Sequence, residues 1–263
     1  MSDGPSTVIK ALTLLDFFGE QRSHIGLSEF SKLTGYNKAS TLRFLTALQM
    51  KGFVEQDEST RSYRIGPAFL RFAHLREATM PMGEAVRVVL RDLAAATKET
   101  AHASIISGEA LANIATVESR RANRVSIEPG EVLPFHATSS GLAVLAFADI
   151  TVLDAMFGRQ MERYAPNTII DPHEIHPLLE QIREAGYARS TASYEDGVTG
   201  IAAPYFSPSG EVCGSVAVAM PTIRATQESE RLVIDEVRAA ARRLTELRGG
   251  HHPDYFPVPA YDI

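Results

Sequence analysis

The amino-acid sequence predicts a two-domain protein. The N-terminal domain is a winged helix-turn-helix, mainly α with a β wing, and the larger C-terminal domain is α+β with an antiparallel sheet. Apolar residues recur at helical spacing over residues 8–48, a short hairpin pattern follows, and beyond residue 80 helical and strand patterns alternate. The length of 263 residues allows two domains that each bury a core.

The composition is that of a globular protein, with 44% hydrophobic and 22% charged residues. No apolar run approaches the ~20 residues that cross a bilayer, so no membrane partner is expected. Met1–Pro5 carries an acid and chain breakers where a secretory signal needs basic and then apolar residues, which predicts a cytoplasmic location. The single cysteine, Cys213, excludes an internal disulfide framework and a cysteine-rich zinc site.

Charge is spread unevenly along the chain. The net charge is −6, yet residues 1–79 hold ten Lys/Arg against eight Asp/Glu, whereas the remainder holds sixteen against twenty-four. No acid lies between Glu29 and Glu55. A basic segment on an acidic body indicates an anionic partner for that segment alone.

The first two helices follow from apolar spacing and from breakers. One apolar helical face runs up to Gly19 and consists of Val8, Ala11, Leu12, Leu15 and Phe18. Ser28 is the expected N-cap of a short second helix, with Phe30 and Leu33 facing inward. Gly35 should end that helix, since glycine adopts the left-handed conformation without a side-chain clash.

A third helix opens after the turn at residues 35–37 and ends near Gly52. Its predicted buried face has helical spacing and consists of Thr41, Phe44, Leu45 and Leu48. Its outward face offers cations, hydroxyls and an apolar group for a thymine methyl, and consists of Lys38, Ala39, Ser40, Leu42, Arg43 and Thr46. This is the predicted recognition helix, which would enter a major groove. Taken singly, Lys38 and Arg43 could equally be solvated surface charges.

A hairpin follows the third helix and forms the predicted wing. Its strands are residues 53–56 and 62–65, joined by a polar turn that starts at Asp57. Arg61 and Arg64 lie on this hairpin and join the residues expected to contact DNA.

The N-terminal region resembles the DNA-binding domain of the IclR-type bacterial transcription regulators. The resemblance rests on the segments "ALTLLDFF", "GLSEFSKLTGYNKASTLRFLTALQMKGFVEQD" and "RSYRIGP". Lys38, Ser40 and Arg43 match the family pattern of the recognition helix. Ala39 and Leu42 depart from it, because a hydroxyl residue and a histidine are usual at those positions. The resemblance implies double-stranded DNA as a partner, and the two departures concern which bases are read.

The resemblance also implies how the chain is divided. A DNA-binding domain, a linker helix, an effector-binding domain and a C-terminal tail are expected at residues 1–66, 67–80, 81–249 and 250–263. In the resembled family the linker helix helps to pair two subunits, which implies a homodimer or a dimer of dimers. Two-fold symmetry in turn implies a pseudo-palindromic operator.

Beyond the linker the pattern is α+β. Helices are expected at Met82–Thr97, Ser140–Ala148, Thr151–Phe157, Pro172–Ala185 and Gln227–Leu247. Strands are expected at Ala101–Ile106, Leu111–Val117, Arg124–Ile127, Ile201–Phe206 and Val212–Met220. Helices grouped around one antiparallel sheet are the predicted architecture.

Two segments of the larger domain could form a ligand site. "LPFHATSSGLAVLA" runs from a strand end into a helix start, where free backbone N–H groups suit a carboxylate. Small residues that leave volume on the last two strands are Gly200, Ala202, Ala203, Gly214, Ala217 and Ala219. Both segments resemble the effector-binding domain of the same family. The resemblance implies a GAF-like domain that takes a small organic metabolite, and the helix start favours an organic acid. By the resemblance the pocket is lined by Ser139, Ser140, Ser190, Val198, Gly200, Ala217 and Ala219.

An enzyme is the alternative from another functional class. Cys213 could be a thiol nucleophile with His102 or His136 as its base, but no nucleophile-elbow or P-loop motif is present. Metal binding through these histidines lacks ligand spacing, so neither a metal nor a cofactor is expected. A DNA-binding protein without a ligand is a third hypothesis, which leaves the large second domain unexplained. The sequence favours a ligand-responsive transcription regulator without enzymatic activity.

Overall fold

The chain forms two compact units. The structure is a computed structural model that describes residues 7–19, 22–79, 82–158, 160–253 and 256–257. One unit comprises residues 1–81 and the other residues 82–263. The two residues at the expected boundary between linker helix and effector-binding domain, Met80 and Pro81, and much of the expected tail lie outside the described residues, and the boundaries at residues 66 and 249 stay predictions.

The first helix is shorter than the sequence predicted. α1 spans Thr7–Leu12, and a separate 3₁₀ turn spans Leu15–Phe17. Leu14, between the two, is fully buried, whereas Val8 is 66% exposed and Leu12 is also exposed. The prediction of one continuous helical face was wrong for Val8 and Leu12, because the helix ends early and the 3₁₀ turn brings Leu14 to the core. The other predicted residues do pack against the core, namely Ala11, Leu15 and Phe18.

The second helix is ended as predicted but begins differently. α2 spans Leu27–Thr34, and its N-cap is Gly26 without a side-chain cap. The predicted Ser28 cap was wrong, because the helix starts one residue before Ser28. Gly35 has a φ of 71°, which confirms the left-handed helix end.

The third helix is confirmed together with its buried face. α3 spans Lys38–Met50 and buries Thr41, Phe44, Leu45 and Leu48. Asn37 is its N-cap, because the Asn37 side-chain oxygen accepts a hydrogen bond of 2.8 Å from the Ser40 backbone N–H. The three apolar side chains of this face pack with Phe30 of α2 in the hydrophobic core of the first unit.

The wing and the following helix pack together through aromatic rings. β1 (Val54–Gln56) and β2 (Tyr63–Ile65) form the predicted antiparallel hairpin. The Phe53 ring lies 5.4 Å from the Phe69 ring of α4, which spans Ala68–Thr79. A Cβ at Gly66 would lie 2.3 Å from the Gly52 carbonyl oxygen, so the position after the wing requires a glycine.

The second unit is built on one antiparallel sheet with the strand order β5-β4-β3-β8-β7-β6. The strands β3 to β8 span Thr100–Ser107, Ala110–Val117, Val132–Leu133, Ala188–Thr191, Val198–Phe206 and Val212–Pro221. The helices α5 to α9 span Met82–Thr97, Ser139–Leu145, Ile150–Phe157, Pro172–Ala185 and Gln227–Leu247. The predicted fold class is therefore confirmed. No helix among the described residues is long and apolar enough to cross a membrane.

Two strands differ from the prediction. Residues 124–127 form no strand, because side chains take the hydrogen bonds that a neighbouring strand would offer: the Thr100 hydroxyl donates to the Val125 carbonyl at 2.6 Å. The Ser126 hydroxyl and the Arg124 guanidinium both bond the Glu118 carboxylate. The sheet edges are instead the short β5 and the unpredicted β6, whose four residues were too few to show a pattern.

The two faces of the sheet bury different helices. α5 and α9 cover one face, and α6 and α8 cover the other. The small residues of the last two strands are divided between the two faces. Ala203 lies in the core under α5 and α9, whereas Ala202 and Ala217 lie in the core under α6 and α8. A Cβ at Gly200 would meet the Ser139 side chain of α6, while one at Gly214 would meet Tyr205 on the opposite face.

Candidate functional site

The outward face of α3 is open to solvent and basic. Lys38, Ala39, Leu42, Arg43 and Thr46 are exposed, and Ser40, whose N–H is capped, is half-buried. Within the described part of the chain, neither of the two cations forms an ion pair. This face presents free positive charge, which is what a phosphate backbone requires.

The two wing arginines differ in their partners. The Arg64 Nε donates to the Glu55 Oε1 at 2.7 Å, so its charge is largely matched within the hairpin. Arg61 lies at the wing turn with a φ of 58° and, among the described residues, has no carboxylate partner. The Asp57 carboxylate holds that turn: hydrogen bonds from Ser59 and Thr60 keep the pKa of Asp57 well below its ordinary value. Of the two arginines, Arg61 is the better placed to meet a phosphate.

The second unit holds a small cavity of about 70 Å³ beside the start of α6. Six of the seven predicted pocket residues line it, namely Ser139, Ser140, Ser190, Val198, Gly200 and Ala219. The seventh, Ala217, is fully buried in the core against α6 and does not line the cavity. The reason is its place on β8, two residues before the cavity residue Ala219, where it pairs with Ala202 and the helix closes over the sheet.

The start of α6 is fixed tightly against the preceding segment. The Thr138 hydroxyl accepts the Gly141 N–H at 2.9 Å and caps the helix. A Cβ at Gly141 would lie 2.2 Å from the Phe135 carbonyl oxygen, so only glycine permits this approach. All seven residues of α6 are buried. The serines that line the cavity are therefore held on a rigid element.

His102 is a cavity residue that the site prediction omitted. It lies on β3, is only 4% exposed, and has its Nε2 3.2 Å from the Ser140 Oγ. Its Nδ1 is buried and has no hydrogen-bond partner among the described residues. Burial lowers the pKa of His102 to about 4, so the imidazole is neutral. The signal in the sequence that could have identified His102 is a polar residue at an inward-facing position of a strand.

The two domains match known families. Residues 7–58 match the IclR helix-turn-helix domain, and residues 77–246 match the C-terminal domain of the bacterial transcriptional regulator IclR. Together these matches cover most of the chain. The protein belongs to the IclR family of transcription regulators.

Individual IclR-type relatives align over nearly the full chain. BhcR of Paracoccus denitrificans is 30% identical over 93% of this chain and 88% of its own. KdgR of Escherichia coli is 26% identical over 95% of each chain. The crystal structure of an IclR-type regulator from Silicibacter sp. TM1040 has a TM-score of 0.81 and 44% identity, covering 97% of this chain and 100% of that one.

A further IclR homologue, from Microbacterium hydrocarbonoxydans, was crystallised with 4-hydroxybenzoate. It shares the fold with a TM-score of 0.59 at 20% identity, and the match covers 93% of this chain and 99% of that one.

The enzyme hypothesis is excluded, because the family and these relatives are transcription regulators. Two of the residues considered for catalysis instead make contacts with backbone carbonyl groups. His136 Nε2 lies 2.8 Å from the Glu162 carbonyl, and Cys213 is half-buried with its Sγ 3.7 Å from the Glu211 carbonyl. In the described ranges, no three His, Cys, Asp or Glu side chains are close enough together to hold a metal ion.

His102 should make the stability of this regulator depend on pH. The folded protein holds His102 neutral down to about pH 4, whereas an unfolded histidine gains its proton near 6.5. Stability is therefore unaffected by His102 above 6.5 and falls as the pH falls from 6.5 toward 4. We expect a loss of about 1.4 kcal/mol per pH unit in that window.

Urea unfolding at pH 5 and pH 7 measures this effect. The His102→Asn variant should lose less stability between the two values than the unmodified chain. His173→Asn, which changes an exposed histidine, is the control and should keep the original difference. An identical difference in the His102→Asn protein and the unmodified chain would contradict the prediction.

Proposed function

We propose that this regulator binds a pseudo-palindromic DNA operator as a dimer or a dimer of dimers, and that a small organic acid in the α6 cavity modulates this binding. The observation that carries the proposal is the pairing, in one IclR-family chain, of a basic recognition-helix face with a serine-lined cavity. A regulator of this kind acts on the chromosome, which in a bacterium lies in the cytoplasm.

The DNA contacts follow from the exposed groups of the first unit. α3 enters the major groove with Lys38 and Arg43 as its cations, and the wing follows with Arg61. The proposed contact residues are Lys38, Ala39, Ser40, Leu42, Arg43, Thr46, Arg61 and Arg64. Within this set Arg64 contributes least, since its charge is already paired with Glu55.

Substitution of the two α3 cations should have different effects. Arg43→Ala should cost about 1–3 kcal/mol of binding and relax specificity at one base pair, because a guanidinium can fork onto a guanine edge. Lys38→Ala should weaken binding to all sequences and reduce the salt slope by about 1, because it contacts phosphate. Gel-shift titrations at several salt concentrations measure both effects.

Arg87→Ala is the matched control, because it removes the same charge from an exposed site in the second unit. It should bind the operator like the unmodified protein. Unchanged affinity and salt dependence in both α3 variants would show that the recognition helix does not carry these contacts.

Exposed apolar side chains in the first unit support self-association. Leu70 of α4 is 77% exposed, and Phe72 is also exposed. Val8 and Leu12 of α1 are exposed as well. Large apolar groups left in water favour burial against a partner, and a second copy of the chain supplies the two-fold symmetry that a palindromic site requires.

Leu70→Asp should therefore weaken pairing, because it places a charge in the proposed interface. Sedimentation at micromolar concentration should show a dimer or larger assembly for the unmodified chain and a smaller species for the variant, with a loss of affinity for half-sites about 10 base pairs apart. Ile223→Asp, at an equally exposed apolar site in the other unit, is the control. A monomer with full operator affinity would refute the proposal.

The ligand is assigned by the groups around the cavity. Three serine hydroxyls, from Ser139, Ser140 and Ser190, can donate hydrogen bonds, and Val198 and Ala219 supply apolar wall. We assign the acid group to these hydroxyls rather than to a helix dipole, because α6 has only seven residues. Crystallisation of the Microbacterium homologue with 4-hydroxybenzoate supports an organic acid.

A thermal-shift screen of acetate, lactate, succinate and benzoate tests the ligand assignment. At a hundredfold excess over Kd, a bound acid should stabilise the fold by about 2.7 kcal/mol. Gly200→Leu should abolish the shift while operator binding survives, because even a Cβ at that position would lie 2.6 Å from the Ser139 Oγ.

The matched control is Ser209→Leu, which places the same side chain on an exposed turn away from the cavity. This variant should keep the full shift. If the Gly200→Leu protein folds and still responds to the acid like the unmodified chain, the ligand binds elsewhere.

A further inference from the structure

The exposed face of α3 has an apolar strip at its centre. Ala39, Leu42 and Thr46 lie at i, i+3 and i+7, which places them on one side of the helix. We call these three residues the α3 strip. Leu42 is 44% exposed, although the helix buries four other side chains in the core. Packing in the core therefore does not explain why an apolar residue stands at position 42.

Thr46 adds to the apolar character of the strip. Its hydroxyl donates to the Leu42 carbonyl at 2.9 Å, so the hydroxyl hydrogen is already used within the helix. The Thr46 side chain can then offer only a methyl group and the two acceptor lone pairs of its oxygen to a partner. Ala39 offers only a methyl group. None of the three residues can donate a side-chain hydrogen bond to a base.

The charges beside the strip determine what can cover it. Lys38 and Arg43 flank it, and the sequence carries no acid between Glu29 and Glu55. A polyanion matches this surface. The base edges of the major groove offer one apolar group, the C5-methyl of thymine, so a strip set between phosphate-binding cations matches thymine.

We propose that Leu42, supported by Ala39 and Thr46, packs against thymine methyl groups and so selects thymine at one or two adjacent positions of each operator half-site. This inference rests on the proposed docking of α3 in the major groove. It adds a base preference that depends on packing, separate from any hydrogen-bonded reading by Arg43.

The test begins with selection of binding sites from a pool of random DNA duplexes by the full-length protein. Each thymine of the selected half-site is then replaced by deoxyuridine, which removes the methyl group and keeps the base pair. At one or two positions the unmodified protein should bind about fourfold more weakly per half-site, which corresponds to one methyl group left unburied. At the remaining thymines affinity should be unchanged.

Leu42→Ala should bind the thymine and deoxyuridine duplexes equally at those positions. Leu42 is exposed, so its truncation leaves the core intact, and sedimentation should show an unchanged assembly. Met50→Ala is the matched control: Met50 is an apolar residue, 80% exposed, at the last position of the same helix and more than two turns beyond Leu42, and its loss should preserve the fourfold preference.

Three outcomes would overturn the inference. These are equal binding of every deoxyuridine duplex by the unmodified protein, a preference for thymine that persists in Leu42→Ala, and a change of assembly in that variant, which would make Leu42 a protein contact. A selection that enriches no sequence at all would instead reject the proposed operator binding, and this inference with it.

Discussion

Both units depend on backbone segments that approach more closely than a Cβ atom allows. In the first unit, Gly66 lies against the Gly52 carbonyl where the chain leaves the wing. In the second, Gly141 places the start of α6 on the Phe135 carbonyl. Each contact fixes the direction of the element that follows, which is α4 in one unit and α6 in the other. Interiors are packed too densely to absorb an extra methyl group at such points, so the two glycines are a requirement of the fold.

The position of α6 also explains why a cavity exists where it does. The helix is buried along its whole length, and small residues such as Ala202 and Ala217 let it close down on the sheet. Toward the start of the helix the sheet presents Gly200 and Ala219, and there the serines face open volume instead of packed side chains. Close packing and cavity are thus two ends of one helix–sheet contact.

Regular periodicity made α3, α5, α8 and α9 predictable, because one buried face repeats through several turns. Where two local hydrogen-bonding arrangements compete, the sequence did not predict which one forms. Ser28 and Gly26 are both acceptable caps, and residues 124–127 are strand-like until the Thr100 side chain takes the Val125 carbonyl. Six of seven cavity residues followed from the family resemblance, whereas the place of Ala217 under α6 depends on how far the helix extends over the sheet.

The electrostatics of the cavity bear on how the proposed acid would be held. Among the described residues that line it there is no Lys or Arg, Glu131 and Glu195 contribute carboxylates, and His102 is held neutral by burial. An organic acid would therefore be held by hydroxyl and imidazole hydrogen bonds, with no lining cation to pair with it and with the two carboxylates acting against its negative charge. Such bonds contribute less than an ion pair with a buried cation, because each replaces a hydrogen bond to water. Binding of this strength would let occupancy follow the ligand concentration, whereas pairing with a buried arginine would lower the Kd and keep the site occupied at lower concentrations.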